Sequence, residues 1–258
     1  MVDLHCHIIP SIDDGAKDIE IALKMLRDAE DDGIREIIAT PHFMRGYFEV
    51  PFEQVIEKVE KLNKTCEEEH ISIKIHHGQE IYLNRYTLED YEKGLLGGVN
   101  GSNYYIFEMN MMRFNKEIPD ILYELSLYGI KPIIAHPERY KYIIEDIEMI
   151  NRLIHEGCLF QLNVGSIQGI FGKKIKKCAE ELLNRGVYDF IGSDGHGVNA
   201  RKAILRKTIV NQKEKNMEKM LYLIENNSDL LNGEFKPPRK EYIKGKGRIF
   251  SMFIGKKT

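Results

Sequence analysis

Residues 2–15 read Val2-Asp3-Leu4-His5-Cys6-His7-Ile8-Ile9-Pro10-Ser11-Ile12-Asp13-Asp14-Gly15. The first six have the composition of a strand, and with a side-chain period of two His5 and His7 project to the same side, so both imidazoles can reach one ion. An isolated H-x-H is more often a pair of ordinary core or surface histidines. The continuation changes the balance, because Asp14 followed by the flexible Gly15 sets a carboxylate directly after the strand. Asp14 also suits a turn or a helix N-cap.

Working outward, short apolar segments alternate with longer stretches of helical periodicity, which predicts βα units around a mainly parallel sheet. Strands are expected at Val2–His7, Glu36–Thr40, Ile71–His77, Tyr104–Glu108, Pro132–His136, Leu159–Val164 and Phe190–Ser193. Helices are expected near 18–32, 52–69, 117–128, 145–156 and 174–185, with a further helical region over 200–226 and a less regular stretch at 80–103. In the first helix Ile19, Ala22, Leu23, Leu26 and Ala29 recur at spacings of three and four, and Gly33 is its expected stop.

The 258 residues suit one large barrel or two small domains, and 43% hydrophobic with 30% charged residues excludes a disordered or low-complexity chain. No apolar run reaches the roughly 18 residues of a membrane span, and the N-terminus has no signal-peptide pattern, so a cytosolic location is expected. Cys6, Cys66, Cys158 and Cys178 form no C-x-x-C pair and read as buried thiols. The net charge of −3 gives no drive toward nucleic acid. From Gly233 onward, however, eight Lys/Arg face two Glu, a net +6 that leaves −9 for residues 1–232.

The residues that could bind metal fall at the C-terminal ends of the expected strands. In a parallel barrel those ends open on one face, the one that carries active sites. After His5, His7 and Asp14 come His42 in Thr40-Pro41-His42, Glu80 in His76-His77-Gly78-Gln79-Glu80, Glu108 ending its strand, His136 in His136-Pro137-Glu138-Arg139, and Asp194 with His196 in Ser193-Asp194-Gly195-His196. Each alone could be a cap, a turn or a hydrogen-bond partner; together they point to a metal site. Five histidines and four carboxylates without a thiolate favour Mn²⁺, Fe or Zn²⁺. Nine ligands exceed what one ion can use, so two or three bridged ions are expected, an arrangement suited to hydrolysis at phosphorus.

The H-x-H…DDG start with T-P-H, G-Q-E, A-H-P-E-R and S-D-x-H resembles the polymerase-and-histidinol-phosphatase (PHP) superfamily. Within it, the HxIIPxIDDGA, ATPHF, GQEIYL, AHPERY and QLNVGSIxGxFG stretches are similar to the bacterial manganese-dependent tyrosine phosphatases of capsule and exopolysaccharide biosynthesis, the CpsB/CapC type. The resemblance spans residues 1 to about 201. It implies an α/β fold, a distorted TIM-like (β/α)7 barrel, over residues 1–232, with 233–258 as a basic C-terminal extension. It further implies three Mn²⁺ ions: one on His5, His7, Glu80 and Asp194; one on bridging Glu80 with Glu108 and His136; one on Asp14, His42 and His196. Arg139 and Arg201 match positions that grip phosphate, Gly195 stands where relatives often have Ala, and a membrane-associated tyrosine kinase is the implied substrate.

Such a site would attack phosphorus with a metal-activated water, and His42, His196 or a metal-bound water could supply a proton, a choice the sequence leaves open. A tyrosyl leaving group, with a pKa near 10, departs with less help than a seryl alkoxide. A thiol-based phosphatase is excluded, since the residues six beyond the cysteines are Ile12, Ser72, Val164 and Asn184 where Arg is required. No G-x-x-x-x-G-K-[ST] loop is present. The competing readings are a small-molecule phosphomonoesterase of the histidinol-phosphate type, a phosphodiesterase, and a non-catalytic phosphotyrosine-binding regulator. The tail reads as an extended appendage without a core role; Tyr242, Ile243, Ile249, Phe250, Phe253 and Ile254 among its basic residues would suit an anionic membrane surface or an acidic partner.

Overall fold

The computed structural model describes residues 1–244, so Ile249, Phe250, Phe253 and Ile254 lie outside the described residues. Among the described residues nine strands run in chain order: β1 (Val2–Cys6), β2 (Glu36–Ala39), β3 (His42–Phe43), β4 (Lys74–His77), β5 (Glu80–Tyr82), β6 (Tyr104–Glu108), β7 (Lys131–Ala135), β8 (Leu159–Asn163) and β9 (Phe190–Gly192). The helices are α1 (Ile19–Asp31), α2 (Phe52–Glu68), α3 (Thr87–Glu92), α4 (Ile118–Leu127), α5 (Lys141–Glu145), α6 (Asn151–His155), α7 (Val164–Gln168), α8 (Lys173–Asn184), α9 (Arg206–Val210) and α10 (Glu214–Asn232). None of the described helices is long and apolar enough to cross a membrane.

All strand pairs are parallel, in the orders β1-β2-β4 and β3-β5-β6-β7-β8-β9. The two ribbons are one ring. β3 continues β2 after Thr40-Pro41, and β5 continues β4 after Gly78-Gln79, while the Glu80 N–H still reaches the Pro41 carbonyl at 3.0 Å. Pro41 has no N–H to offer the ladder, so the stave breaks there. At the other seam Asp194 N–H donates to the His5 carbonyl at 2.7 Å and His7 N–H to the Gly195 carbonyl at 2.9 Å. Seven staves in sequence order thus close into the expected (β/α)7 barrel.

Two apolar layers hold it. Leu4, Ile38, Ile106, Ile133, Leu159 and Phe190 fill the lumen, and the outer layer packs Ile37, Ile75, Phe107, Ile134, Phe160 and Ile191 under the helices. In β1 the pairing register shifts between Asp3 and Cys6. Leu4 therefore joins the lumen cluster and Cys6, two residues on, the outer one, so that His5 also reaches the interior above Leu4. The floor of the lumen is apolar and its upper end is polar.

The first helix is anchored as expected: Asp18 caps the Ile21 N–H at 2.9 Å, and Ala22, Met25, Leu26 and Ala29 are buried, while Ile19 is exposed. Two helical expectations need correction. The stretch 145–156 is broken, because extended Asp146 caps a fresh 3-10 turn through Glu148 N–H before α6 begins. The 200–226 region splits at Lys213 into α9 and α10, and α10 runs on to Asn232, where Gly233 closes it with φ +74°.

Over residues 233–244 the reading of an appendage without a core role also needs correction, while residues 245–258 lie outside the described residues. Phe235 is buried against Phe190 (centroids 4.6 Å apart) and Tyr104 (6.0 Å), plugging the N-terminal end of the lumen. Lys240 Nζ donates to Asp189 and to the Val187 carbonyl, and buried Ile243 exchanges backbone hydrogen bonds with the Asn151 amide. The basic composition hides these anchors, because its lysines and arginines flank apolar side chains that face inward.

Candidate metal centre

The C-terminal end of the barrel gathers the ligand-type side chains from six strand ends. β1 delivers His5 and His7; the loop after it brings Asp13 and Asp14; β3 opens with His42, β5 opens with Glu80 and β6 closes with Glu108. His136 and Asp194 follow β7 and β9, both in the left-handed region (φ +36° and +52°). A non-glycine residue there stores about 1–3 kcal/mol of strain, and the cost is tolerated where the side chain must be aimed. His136 is doubly constrained because Pro137 follows it.

His5 Nε2 lies 3.1 Å from His7 Nε2, 3.2 Å from Glu80 Oε2 and 3.6 Å from Asp194 Oδ1. His7 Nε2 stands 3.2 and 3.5 Å from the same two oxygens. Donor atoms about 2.1 Å from one cation, in tetrahedral or octahedral array, sit about 3.0–3.4 Å apart. Two further groups complete the cluster: His42 with Glu80 and Glu108, and His7 with Asp14, His42 and His196, the ligand atoms of each lying within 4.8 Å of one another. Glu80 belongs to two groups, and His136 Nε2 reaches its Oε1 at 2.7 Å. All nine candidate ligands therefore converge. His76, by contrast, turns out of the barrel to Glu36, and His77 meets Phe52.

The electrostatics ask for positive charge. Burial and the neighbouring carboxylate of Glu80 push Glu108 well up, while Glu80 is held down against its own burial by His5 and His42. His7, buried and therefore disfavoured as a cation, is nonetheless raised to about 10 by Asp13 and Glu80. Protons stand in for the missing charge of a crowd of carboxylates. His42 Nδ1 and His196 Nε2 are buried without a well-formed hydrogen bond. A set of imidazoles and carboxylates with unsatisfied, converging lone pairs fits hard or borderline divalent cations. Cys6 takes no part, since its thiol turns to the Gly195 carbonyl.

A family model for capsular polysaccharide synthesis, CpsB/CapC, matches residues 1–232. The chain belongs to the CpsB/CapC family. It is 33% identical over 231 residues to the tyrosine-protein phosphatase YwqE of Bacillus subtilis, covering 90% of this chain and 91% of the relative. It is 31% identical over 212 residues to the tyrosine-protein phosphatase CpsB of Streptococcus pneumoniae, covering 80% and 87%. A crystal structure from work on these two metal-dependent tyrosine phosphatases superposes with a TM-score of 0.88 at 33% identity, over 95% of this chain and 100% of that one.

In this CpsB/CapC chain two guanidiniums border the cluster. Arg139 Nη1 donates to Asp194 Oδ2 at 2.8 Å and Arg201 Nη2 lies 2.6 Å from Oδ1. The Arg201 loop is tied down behind: buried Asp32 accepts the Leu205, Arg206 and Lys207 N–H groups, at 2.6, 2.6 and 3.0 Å. Gly195 packs so closely on Ala203 that a Cβ there would stand 3.0 Å from its backbone. The extra methyl of an Ala at 195 would press directly on this loop.

Three supporting residues escape a reading of the sequence. Asp13 accepts from His7 Nδ1, Gln161 meets His5 Nδ1 at 3.0 Å, and Asn163 donates to Asp194 Oδ2 at 2.6 Å. The signal for the last two was present, since two amides at i and i+2 in the otherwise apolar strand Leu159–Asn163 mark a polar inner face. For Asp13 no local signal separates it from its neighbour Asp14.

Proposed function

We propose that this chain is a metal-dependent protein-tyrosine phosphatase acting in the cytosol on a phosphotyrosyl protein, with a membrane-associated bacterial tyrosine kinase as the substrate. The observation that carries the reading is the convergence of nine imidazole and carboxylate ligands beside two guanidiniums at the mouth of a barrel. Its family membership and the names of its relatives support the reaction class.

The ligand sets we assign are His5, His7, Glu80 and Asp194 for one ion, Glu80, Glu108 and His136 for a second, and Asp14, His42 and His196 for a third, with Mn²⁺ as the occupant. Such ions lower the pKa of water enough to supply a nucleophile at neutral pH and neutralise phosphate oxygens. The chain's own residues do the rest. Asp13 and Gln161 fix the ring orientations of His7 and His5 through their Nδ1 atoms. Arg139 and Arg201, partly exposed at the rim, orient the phosphoryl group by charge-assisted hydrogen bonds. His42 and His196 stand on the exposed side of the cluster next to Asp14, so the proton for the departing phenolate would be delivered from this side.

The test is hydrolysis by purified protein stripped with chelator and reloaded with Mn²⁺, compared across a phosphotyrosyl peptide, a phosphoseryl peptide and histidinol phosphate. The expected result is chelator-sensitive release of phosphate with phosphotyrosine preferred. Faster turnover of histidinol phosphate would transfer the chain to the small-molecule class. Membrane contact by the basic tail is tested separately, by co-sedimentation of the whole chain with anionic vesicles.

A further inference from the structure

Phe171 stands on the loop between α7 and α8, half-buried, and packs with neither of the two apolar clusters. Its ring is instead flanked by cations. The Arg139 Cζ atom lies 4.5 Å from the ring centroid and the Arg201 Cζ atom 5.8 Å. These arginines stand 62 residues apart in the chain, and both also meet the single carboxylate of Asp194.

The loop is built to hold the ring there. Gly169 and Gly172 adopt φ of +88° and +96° on either side of Phe171, and Gly172 N–H closes the turn on the Gly169 carbonyl at 3.0 Å. Gly165 leaves the space the ring occupies, since a Cβ there would lie 3.2 Å from it. An aromatic side chain held by glycines, outside the two apolar clusters and against two guanidiniums, is not explained by core packing.

We propose that Phe171 is a positioning residue whose π face holds Arg139 and Arg201 at the spacing needed to take one phosphoryl group between them. This rests on the reading that the two arginines bind phosphate. Each arginine has a long, flexible stem whose rotamer freedom must be lost, and its carboxylate anchor, Asp194, is shared with the cation ligands. A ring attracts a guanidinium without accepting the in-plane N–H bonds that a phosphate requires. It thereby holds the arginines without competing with the substrate.

The experiment uses the full chain loaded with Mn²⁺ and the variants Phe171→Ala, Phe171→Leu and Phe171→Tyr. Measured are KM and kcat for a phosphotyrosyl peptide, the inhibition constant of inorganic phosphate, and bound manganese by elemental analysis. Ala and Leu are expected to raise KM and the phosphate inhibition constant about tenfold, with kcat within about threefold and manganese content unchanged. Tyr, which keeps the π face, is expected to stay within about twofold of the parent. A Leu variant with parental phosphate affinity overturns the proposal, because bulk alone would then suffice. Should the Ala variant fail to fold, the Leu and Tyr pair decides. Arg139→Ala and Arg201→Ala separate the two layers of the argument. If they leave phosphate inhibition unchanged, the arginine reading fails and takes the inference with it; if they weaken it while the Phe171 variants do not, only the inference fails.

Discussion

The carboxylate of Asp13 accepts the Nδ1–H of His7 at 2.7 Å, and the same oxygen accepts the backbone N–H of His42 at 3.0 Å. One buried side chain therefore fixes the tautomer of one candidate ligand and the position of the next. With the proton held on Nδ1, the Nε2 lone pair of His7 faces Glu80 and Asp194, where it is available to a cation. Asp13→Asn keeps the shape and removes the charge. It is expected to weaken manganese binding about 10- to 100-fold, read by titrating metal-stripped protein in a calorimeter. An unchanged affinity would show that Asp13 only shapes the loop.

Gly15 makes that loop possible. Its missing side chain faces His7, and a Cβ would come within 2.3 Å of the His7 carbonyl oxygen and 2.4 Å of its Cβ. Gly15→Ala must displace either the strand end or the Asp13-Asp14 turn. Overpacking of this kind costs about 1–3 kcal/mol, which for a chain of this size lowers Tm by about 3–9 °C. Gly197→Ala is the control, since nothing lies within 4 Å of its added methyl, and its Tm should match the parent. Equal melting of all three proteins would contradict the close packing under His7.

Asp194 touches both phosphate-side arginines, Asn163, and the Nε2 atoms of His5 and His7. On the proposed ligand assignment, its removal strips one cation of a ligand and frees both guanidiniums at once. Asp194→Ala is expected to lower kcat by about a thousandfold or more. The fold should persist, because the arginines left behind are partly solvent-exposed and the barrel's apolar layers are untouched. Phosphatase assay and far-UV circular dichroism check the two halves, and substantial activity in a folded variant would remove Asp194 from the ligand set.

The βα alternation was legible in the sequence because each stave buries its outer residues under a helix, which imposes a local apolar pattern. β3 and β5 were not, since two- and three-residue strands exist only by pairing with neighbours far along the chain. The candidate ligands could be read because hard-ligand residues at strand ends stand out one by one. Their supports could not be read as well. Asp13 and Asp14 are chemically identical, and only the turn decides that one faces inward to His7 and the other outward to His42 and His196. Phe235 and Ile243 were hidden for a compositional reason, being apolar anchors within a segment whose charge suggests solvent.

That segment carries a pH-dependent lock. Asp189 is fully buried, accepts the Phe160 N–H at 2.8 Å and pairs with Lys240 Nζ at 2.8 Å. Burial raises its carboxyl above the ordinary value and Lys240 draws it back only in part. A carboxyl with a raised folded-state pKa binds its proton more tightly folded than unfolded. It therefore adds stability below its unfolded value near 3.8, and that contribution is lost as pH climbs through the folded value. Lys240→Met removes the compensating cation and lifts the folded value further, so the loss on going to neutral pH grows. Breaking a buried pair by deleting one partner costs about 3–5 kcal/mol. The variant is thus expected to melt well below the parent at pH 7.5, with a smaller gap at pH 5, since burial favours the protonated form of Asp189 as pH falls. Thermal melts of both proteins at the two pH values measure this, and a gap that stays constant would mean that Asp189 does not need its lysine.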